Sequence, residues 1–287
     1  MSAWDTEGGT ASVRSDGRAL AVEALGEGPP VLLAHGITAS RRYVVHGSKH
    51  IPRHGLRAIA FDARGHGDSD PAPPRGGYSY AELADDLEAV LNAEADDGPA
   101  LLAGHSMGAH TVAAFALARP ERVAGLVLIG PAYPGVPTSE EVLARWDELA
   151  EGLEEGGVDG FLVAYERQEL NPSWRDTMLR ITRERLLTHR HPDAVAQAMR
   201  EVPRDVPFES LDELEFLDVP ALVVASNDEA DPGHPRSVAE AYAERLPRVT
   251  LVGEGEGESP LAWQGGRLSR EIVRFCERPE VAERLAA

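Results

Sequence analysis

Residues 101–109 read Leu-Leu-Ala-Gly-His-Ser-Met-Gly-Ala: an apolar strand runs into Gly-x-Ser-x-Gly and then into an alanine-rich helical pattern. Gly104 and Gly108 allow backbone to pass close to backbone at a sharp strand-to-helix turn. That turn lifts the Ser106 hydroxyl above a sheet, at the positive end of the following helix. A serine so placed suits nucleophilic attack on an electrophilic carbonyl, provided that a base accepts its proton. The motif alone is common. Its position between a buried strand and a helix is what gives it weight.

Other reactive side chains carry weaker signals. His46, His50 and His54 recur at helical spacing, but Pro52 interrupts the stripe. His189 and His191 form a His-x-His pair with no third ligand close in sequence, which reads as solvent-facing rather than metal-binding. His105 is expected to point away from the reacting face, and His110 to pack under the sheet. No metal site is expected.

The elements that must position Ser106 follow from apolar periodicity. Ala11–Ser15 and Ala19–Leu25 read as an antiparallel edge hairpin turning at Asp16-Gly17, a pair suited to positive φ. Further strands are predicted at Pro30–Ala34, Arg57–Phe61, Ala100–Gly104, Val123–Ile129, Pro220–Ala225 and Arg248–Val252. Their alternation with helical patterns implies a mostly parallel, eight-stranded sheet with helices on both faces. Ser79 and Glu82 form a capping box for a helix over Tyr80–Ala93, with Leu83, Leu87, Val90 and Leu91 on its sheet-facing side. Between Pro131 and Pro220 the strand pattern stops. Four amphipathic helices are predicted there, near 138–154, 157–169, 172–188 and 192–201, with starts signalled by Thr138/Glu141 and Asn171-Pro172. The expected organisation is therefore a core from 1–131 and 220–287 and a helical cap over 132–219.

Composition narrows the function classes. The chain has 287 residues, enough for one large α/β unit with an insertion. A net charge of −20 opposes binding to a phosphate backbone, so no nucleic-acid partner is expected. One cysteine, Cys276, cannot form an internal bridge, and the N-terminal residues lack the basic start and apolar core of a signal peptide. No apolar run approaches the roughly 20 residues that span a bilayer. A cytoplasmic protein with a small-molecule substrate and no membrane partner is the expectation. Oligomeric state is not legible.

Beyond the serine motif, the chain resembles the α/β-hydrolase superfamily over nearly its whole length. Leu32-Leu33-Ala34-His35-Gly36-Ile37 is similar to the family's strand ending in His-Gly, and Phe61-Asp62-Ala63-Arg64-Gly65-His66-Gly67-Asp68-Ser69 matches its Asp-x-Arg-Gly-x-Gly-x-Ser loop. The resemblance implies an α/β-hydrolase fold and an oxyanion hole formed by the backbone N–H groups of Ile37 and Met107. It gives Asp62 and His66 structural roles. It also implies that the loop Ser226–Pro235 carries the triad acid. Asp231, just before Pro232, fits the register best, with Asp228 as a rival. No cofactor is implied.

The resemblance breaks at the base. The family places a histidine after the last strand, where this chain reads Gly255-Glu256-Gly257-Glu258-Ser259-Pro260. Glu258 occupies the histidine's place and becomes the third candidate catalytic residue, with Ser106 and Asp231. As a base it would need a raised pKa, and beside Asp231 it could share a proton. His234, three residues beyond Asp231, is the other candidate. The expected activity is hydrolysis of an ester, lactone or related carbonyl compound by a carboxylesterase-like serine enzyme with a non-standard base. The alternative keeps the fold and loses hydrolysis, leaving small-molecule binding or non-hydrolytic catalysis.

Overall fold

The computed structural model describes residues 10–74, 76–95, 97–168 and 170–287. Strands β1 (Thr10–Ser15) and β2 (Arg18–Leu25) pair antiparallel with Ser15 opposite Arg18. Asp16 and Gly17 turn the hairpin with φ of 46° and 78°, the positive values expected of that pair. The sheet continues through β3 (Pro30–Ala34), β4 (Arg57–Phe61), β5 (Ala100–His105), β6 (Val123–Ile129), β7 (Ala221–Val224) and β8 (Val249–Val252). Its eight strands lie in the order β1-β2-β4-β3-β5-β6-β7-β8. The β1–β2 and β2–β4 pairs are antiparallel and all others parallel.

Apolar side chains fill both faces because strand residues alternate sides. On β5, Leu102 joins Leu32, Leu126 and Val223 on one face, while Leu101 and Ala103 join Leu33, Val127 and Val224 on the other. Ahead of the site lie α1 (His50–Arg53) and α2 (Tyr80–Glu94). The predicted Ser79–Glu82 capping box is present, and Leu83, Leu87, Val90 and Leu91 are buried along α2. Helix α3 (Met107–Ala118) begins immediately after Ser106.

Between β6 and β7 the described residues form three α-helices, α4 (Glu140–Glu166), α5 (Arg175–Leu186) and α6 (Pro192–Glu201), where four helices were expected. The first two predicted helices merge across a kink at Gly157, whose φ of 59° and ψ of −150° are readily accessible to glycine. Ser139, rather than Thr138, caps α4, accepting the Val142 N–H. Asn171 holds a turn rather than a helix start: its side chain accepts the Ser173 N–H and its carbonyl the Trp174 N–H. Leu149, Leu153, Phe161 and Val195 of this insertion pack with Ile37, Ala63, Leu83 and Met107, placing helices directly over the turn that bears Ser106. The chain closes with α7 (Arg236–Arg245), α8 (Gly265–Cys276) and α9 (Pro279–Leu285). No described helix is long and apolar enough to cross a membrane.

Candidate active site

Ser106 occupies φ 53° and ψ −116°, a region that costs a non-glycine residue about 1–3 kcal/mol and persists only when its surroundings enforce it. The flanking glycines supply that enforcement. A β-carbon on Gly104 would lie 2.1 Å from the Gly108 carbonyl oxygen, and one on Gly108 would lie 2.2 Å from the Ala34 carbonyl oxygen. Backbone is thus packed on backbone, and Ser106 takes the turn between them. Its N–H donates to the Ile129 carbonyl (3.0 Å). Among the described residues its hydroxyl has no hydrogen-bond partner.

Two N–H groups flank this serine. That of Met107 is the first of α3, where no intrahelical acceptor exists. That of Ile37 belongs to a buried residue and likewise meets no acceptor among the described residues. A β-carbon on Gly36 would sit 3.3 Å from Ser106 Cβ, so the Gly36-Ile37 peptide lies against the turn that bears Ser106. The arrangement can receive negative charge on an oxygen, which is the demand of a tetrahedral intermediate.

Histidines fix the loop that carries Ile37. His35 accepts the Ala63 N–H at Nε2 (2.9 Å) and donates from Nδ1 to the Gly36 carbonyl (2.8 Å). His66 Nε2 lies 2.8 Å from the Ile37 carbonyl. His189, expected in solvent, instead bridges the insertion to the core. It accepts the Gly67 N–H at Nδ1 (2.9 Å) and donates from Nε2 to the Thr38 carbonyl (3.1 Å). Burial, aided by His66, holds its pKa down at about 3. His110 packs among Tyr80, Ala132 and Tyr133 rather than at the site: its Nε2 accepts the Ala132 and Tyr133 N–H groups and its Nδ1 donates to the Tyr80 oxygen (2.9 Å). The Asp-x-Arg-Gly-x-Gly-x-Ser loop is scaffolding. Asp62 binds the Arg41 guanidinium and the Arg41 and Asp68 N–H groups, and Arg64 grips Asp86 through two bonds (2.7 and 2.9 Å).

The acid loop separates the two aspartates. Asp228 is exposed and accepts the N–H of Arg236, the first residue of α7. Asp231 is buried, and its Oδ1 lies 2.8 Å from His234 Nδ1. Burial alone would raise the Asp231 pKa, but His234, with smaller contributions from His105 and Arg185, brings it below the usual carboxylate value. The His234 ring stands 5.0 Å from that of His105, between centroids, and a β-carbon on Gly130 would touch it at 3.2 Å. His105 therefore faces the acid loop instead of turning away from it.

Glu258 lies in a different environment from the one its sequence position suggested. Its side chain is half exposed, paired with Arg267 and accepting the Gly255 N–H. Arg267, then Gly255, hold its carboxyl below the usual range, the reverse of the raised pKa expected of a base. The anticipated proton shared with Asp231 is replaced by the Asp231–His234 bond. The cause is local: a Gly-rich turn after β8 lets Glu258 fold back on its own loop, beside a helix that offers Arg267.

His105, Asp231 and His234 present one ligand atom each within 4.8 Å of one another, a set that could hold a metal ion. In the geometry seen, the His234–Asp231 contact is a hydrogen bond. Beside them a narrow cavity is lined by His35, Gly36, Tyr43, Val44, His105 and Arg185.

Residues 29–263 match the family model described as alpha/beta hydrolase fold. The chain belongs to the α/β-hydrolase fold family. Among α/β-hydrolase relatives, it is similar to the AB hydrolase superfamily protein YisY of Bacillus subtilis (37% identity over 117 residues, 40% of this chain and 42% of that protein). It is also similar to epoxide hydrolase 3 of Siraitia grosvenorii (34% over 134 residues, 45% of this chain and 42% of that protein). Each match spans less than half the length of the curated relative. A thermophilic esterase from Thermogutta terrifontis, solved with malate bound, superposes with a TM-score of 0.73 at 25% identity, covering 93% of this chain and 97% of that one. An esterase from Exiguobacterium antarcticum shares the fold at 21% identity (TM-score 0.74, 94% and 100% covered).

Proposed function

We propose that this protein is a carboxylesterase-like serine hydrolase acting on an ester, lactone or related carbonyl compound beneath a helical cap formed by residues 132–219. The observation that carries the reading is the strained backbone of Ser106, held between two N–H groups that have no acceptor. Strain of this kind is retained where it aims a reactive atom.

In this reading Ser106 Oγ attacks the substrate carbonyl carbon and forms a C–O bond, while its proton passes to an imidazole. The carbonyl oxygen takes the electron pair and is stabilised by the Ile37 and Met107 N–H groups. Collapse expels the alkoxide leaving group, which takes the proton from the imidazole. Water then cleaves the acyl-enzyme by the same steps, restoring Ser106. His234 is the base, with Nδ1 engaged by Asp231 and Nε2 left to accept the proton. It displaces Glu258 from that role, because a carboxylate held by Arg267 is a poorer base and lies exposed. Asp231 orients the imidazole and stabilises its charged form.

A second reading, ligand binding without hydrolysis, draws on the Ser106 hydroxyl, which has no imidazole bonded to it. Intact mass after exposure to a fluorophosphonate probe separates the two. One adduct on the wild type that is lost in Ser106→Ala supports the hydrolase. A folded protein with an accessible site and no adduct rejects it.

A further inference from the structure

Among the described residues, the two arginines that are buried come with carboxylates. Arg41 is met by Glu23, Asp62 and Asp68, and Arg64 by Asp86 and Glu82. Arg185, on α5, is partly buried and is not so met. No carboxylate lies within 4.0 Å of its guanidinium among the described residues, and its buried Nε has no hydrogen-bond partner. Its guanidinium carbon stands 5.9 Å from the centroid of the Tyr43 ring. Asp231 is close enough to be felt electrostatically; its Oδ1 bonds His234, while its buried Oδ2 has no hydrogen-bond partner and stands outside ion-pair distance of Arg185.

A partly buried guanidinium with an unbonded Nε and no carboxylate at ion-pair distance can take an anionic partner from outside the chain. The location specifies that partner further. Arg185 lines the same cavity as Gly36 and His105, and Gly36 abuts Ser106. The guanidinium fork matches a carboxylate in plane and spacing, whereas a chain of net charge −20 offers anions little general attraction. The space beside the guanidinium is narrow, with room for about one water molecule, which favours a short and slender ligand.

We propose that Arg185 is a specificity-determining residue that anchors a carboxylate on a short-chain ester or lactone substrate, with the reacting carbonyl delivered to Ser106. The assignment rests on the hydrolase reading for its catalytic consequence, while the anion site itself can be tested without turnover.

Calorimetric titration of the Ser106→Ala protein with monomethyl succinate and with dimethyl succinate compares an anionic with a neutral ligand of nearly the same shape. Monomethyl succinate is expected to bind about tenfold or more tightly than the diester, and Arg185→Met to erase that preference. Arg185→Lys, which keeps the charge and loses the fork, is expected to restore part of it. In the wild type, the ratio of kcat/KM for the two esters should fall by a similar factor in Arg185→Met. Equal binding of the two ligands, no binding of monomethyl succinate, or a preference that survives Arg185→Met overturns the anchor. The ligand comparison on the protein with Arg185 intact decides the matter even if the variants misfold. Failure of the hydrolase reading looks different: Ser106 takes no fluorophosphonate and neither ester is cleaved, yet monomethyl succinate still binds through Arg185. A labelled Ser106 with no carboxylate preference overturns the anchor alone.

Discussion

His234 Nδ1 and Asp231 Oδ1 lie 2.8 Å apart within a single loop, three residues from one another. Here the turn Asp231–His234, closed by the His234 N–H to the Asp231 carbonyl (3.0 Å), brings both together.

That pairing predicts which substitution stops turnover. With a fluorogenic acyl ester as substrate, His234→Gln should lower kcat by about 10²–10⁴-fold, and Asp231→Asn by about 10²-fold or more. Glu258→Gln should change kcat less than about twofold, since its carboxylate serves Arg267 and Gly255. The reverse ranking would return the base to Glu258.

The turn at Ser106 predicts a separation of stability from activity. Ser106→Gly relieves the positive φ and Ser106→Ala does not, so urea unfolding should find the glycine variant more stable than the alanine variant by about 1 kcal/mol. Both should lose the fluorophosphonate adduct.

Close backbone packing around the same turn makes Gly108 intolerant. The new β-carbon of Gly108→Ala would meet the Ala34 carbonyl oxygen at 2.2 Å, and neither atom sits on a flexible side chain. A loss of about 3 kcal/mol or failure to accumulate folded protein is expected. Gly17→Ala, with open space around its β-carbon, should pay only the cost of its positive φ.

Acid should weaken the fold through His110 and His189, whose folded pKa values are each pushed down to about 3, His110 by burial and then His234, His189 by burial and then His66. The unfolded chain takes up protons that the folded one refuses between about pH 6.5 and 3. Stability is therefore held above that window and lost as pH falls through it. Near pH 5 these two groups give a slope of about 2–3 kcal/mol per pH unit, measurable as the pH dependence of the urea unfolding free energy. His189→Asn should remove about one proton from the linkage.

Much of the core was legible because its signals are local. Strand-length apolar runs, the Asp16-Gly17 turn and the Ser79–Glu82 capping box each act within a few residues, so the eight strands and α2 lie within a few residues of where the pattern puts them. Helix limits in the insertion were less so: Gly157 kinks α4 without ending it, and Asn171 turns the chain without starting a helix.

Ser106 was readable from sequence because a glycine-flanked turn between strand and helix is written in consecutive residues. The partner of Asp231 was not, because a motif position says where the chain passes but not where a side chain's charge is satisfied. Glu258 stands at the expected place in sequence, yet Arg267, in the first turn of α8, captures it at the surface. His234 is drawn inward by Asp231 and His105. Arg185 carried no sequence signal at all. Its lack of a carboxylate arises only when α5 is laid across the Gly36 loop, since charge pairing between distant elements is decided by packing.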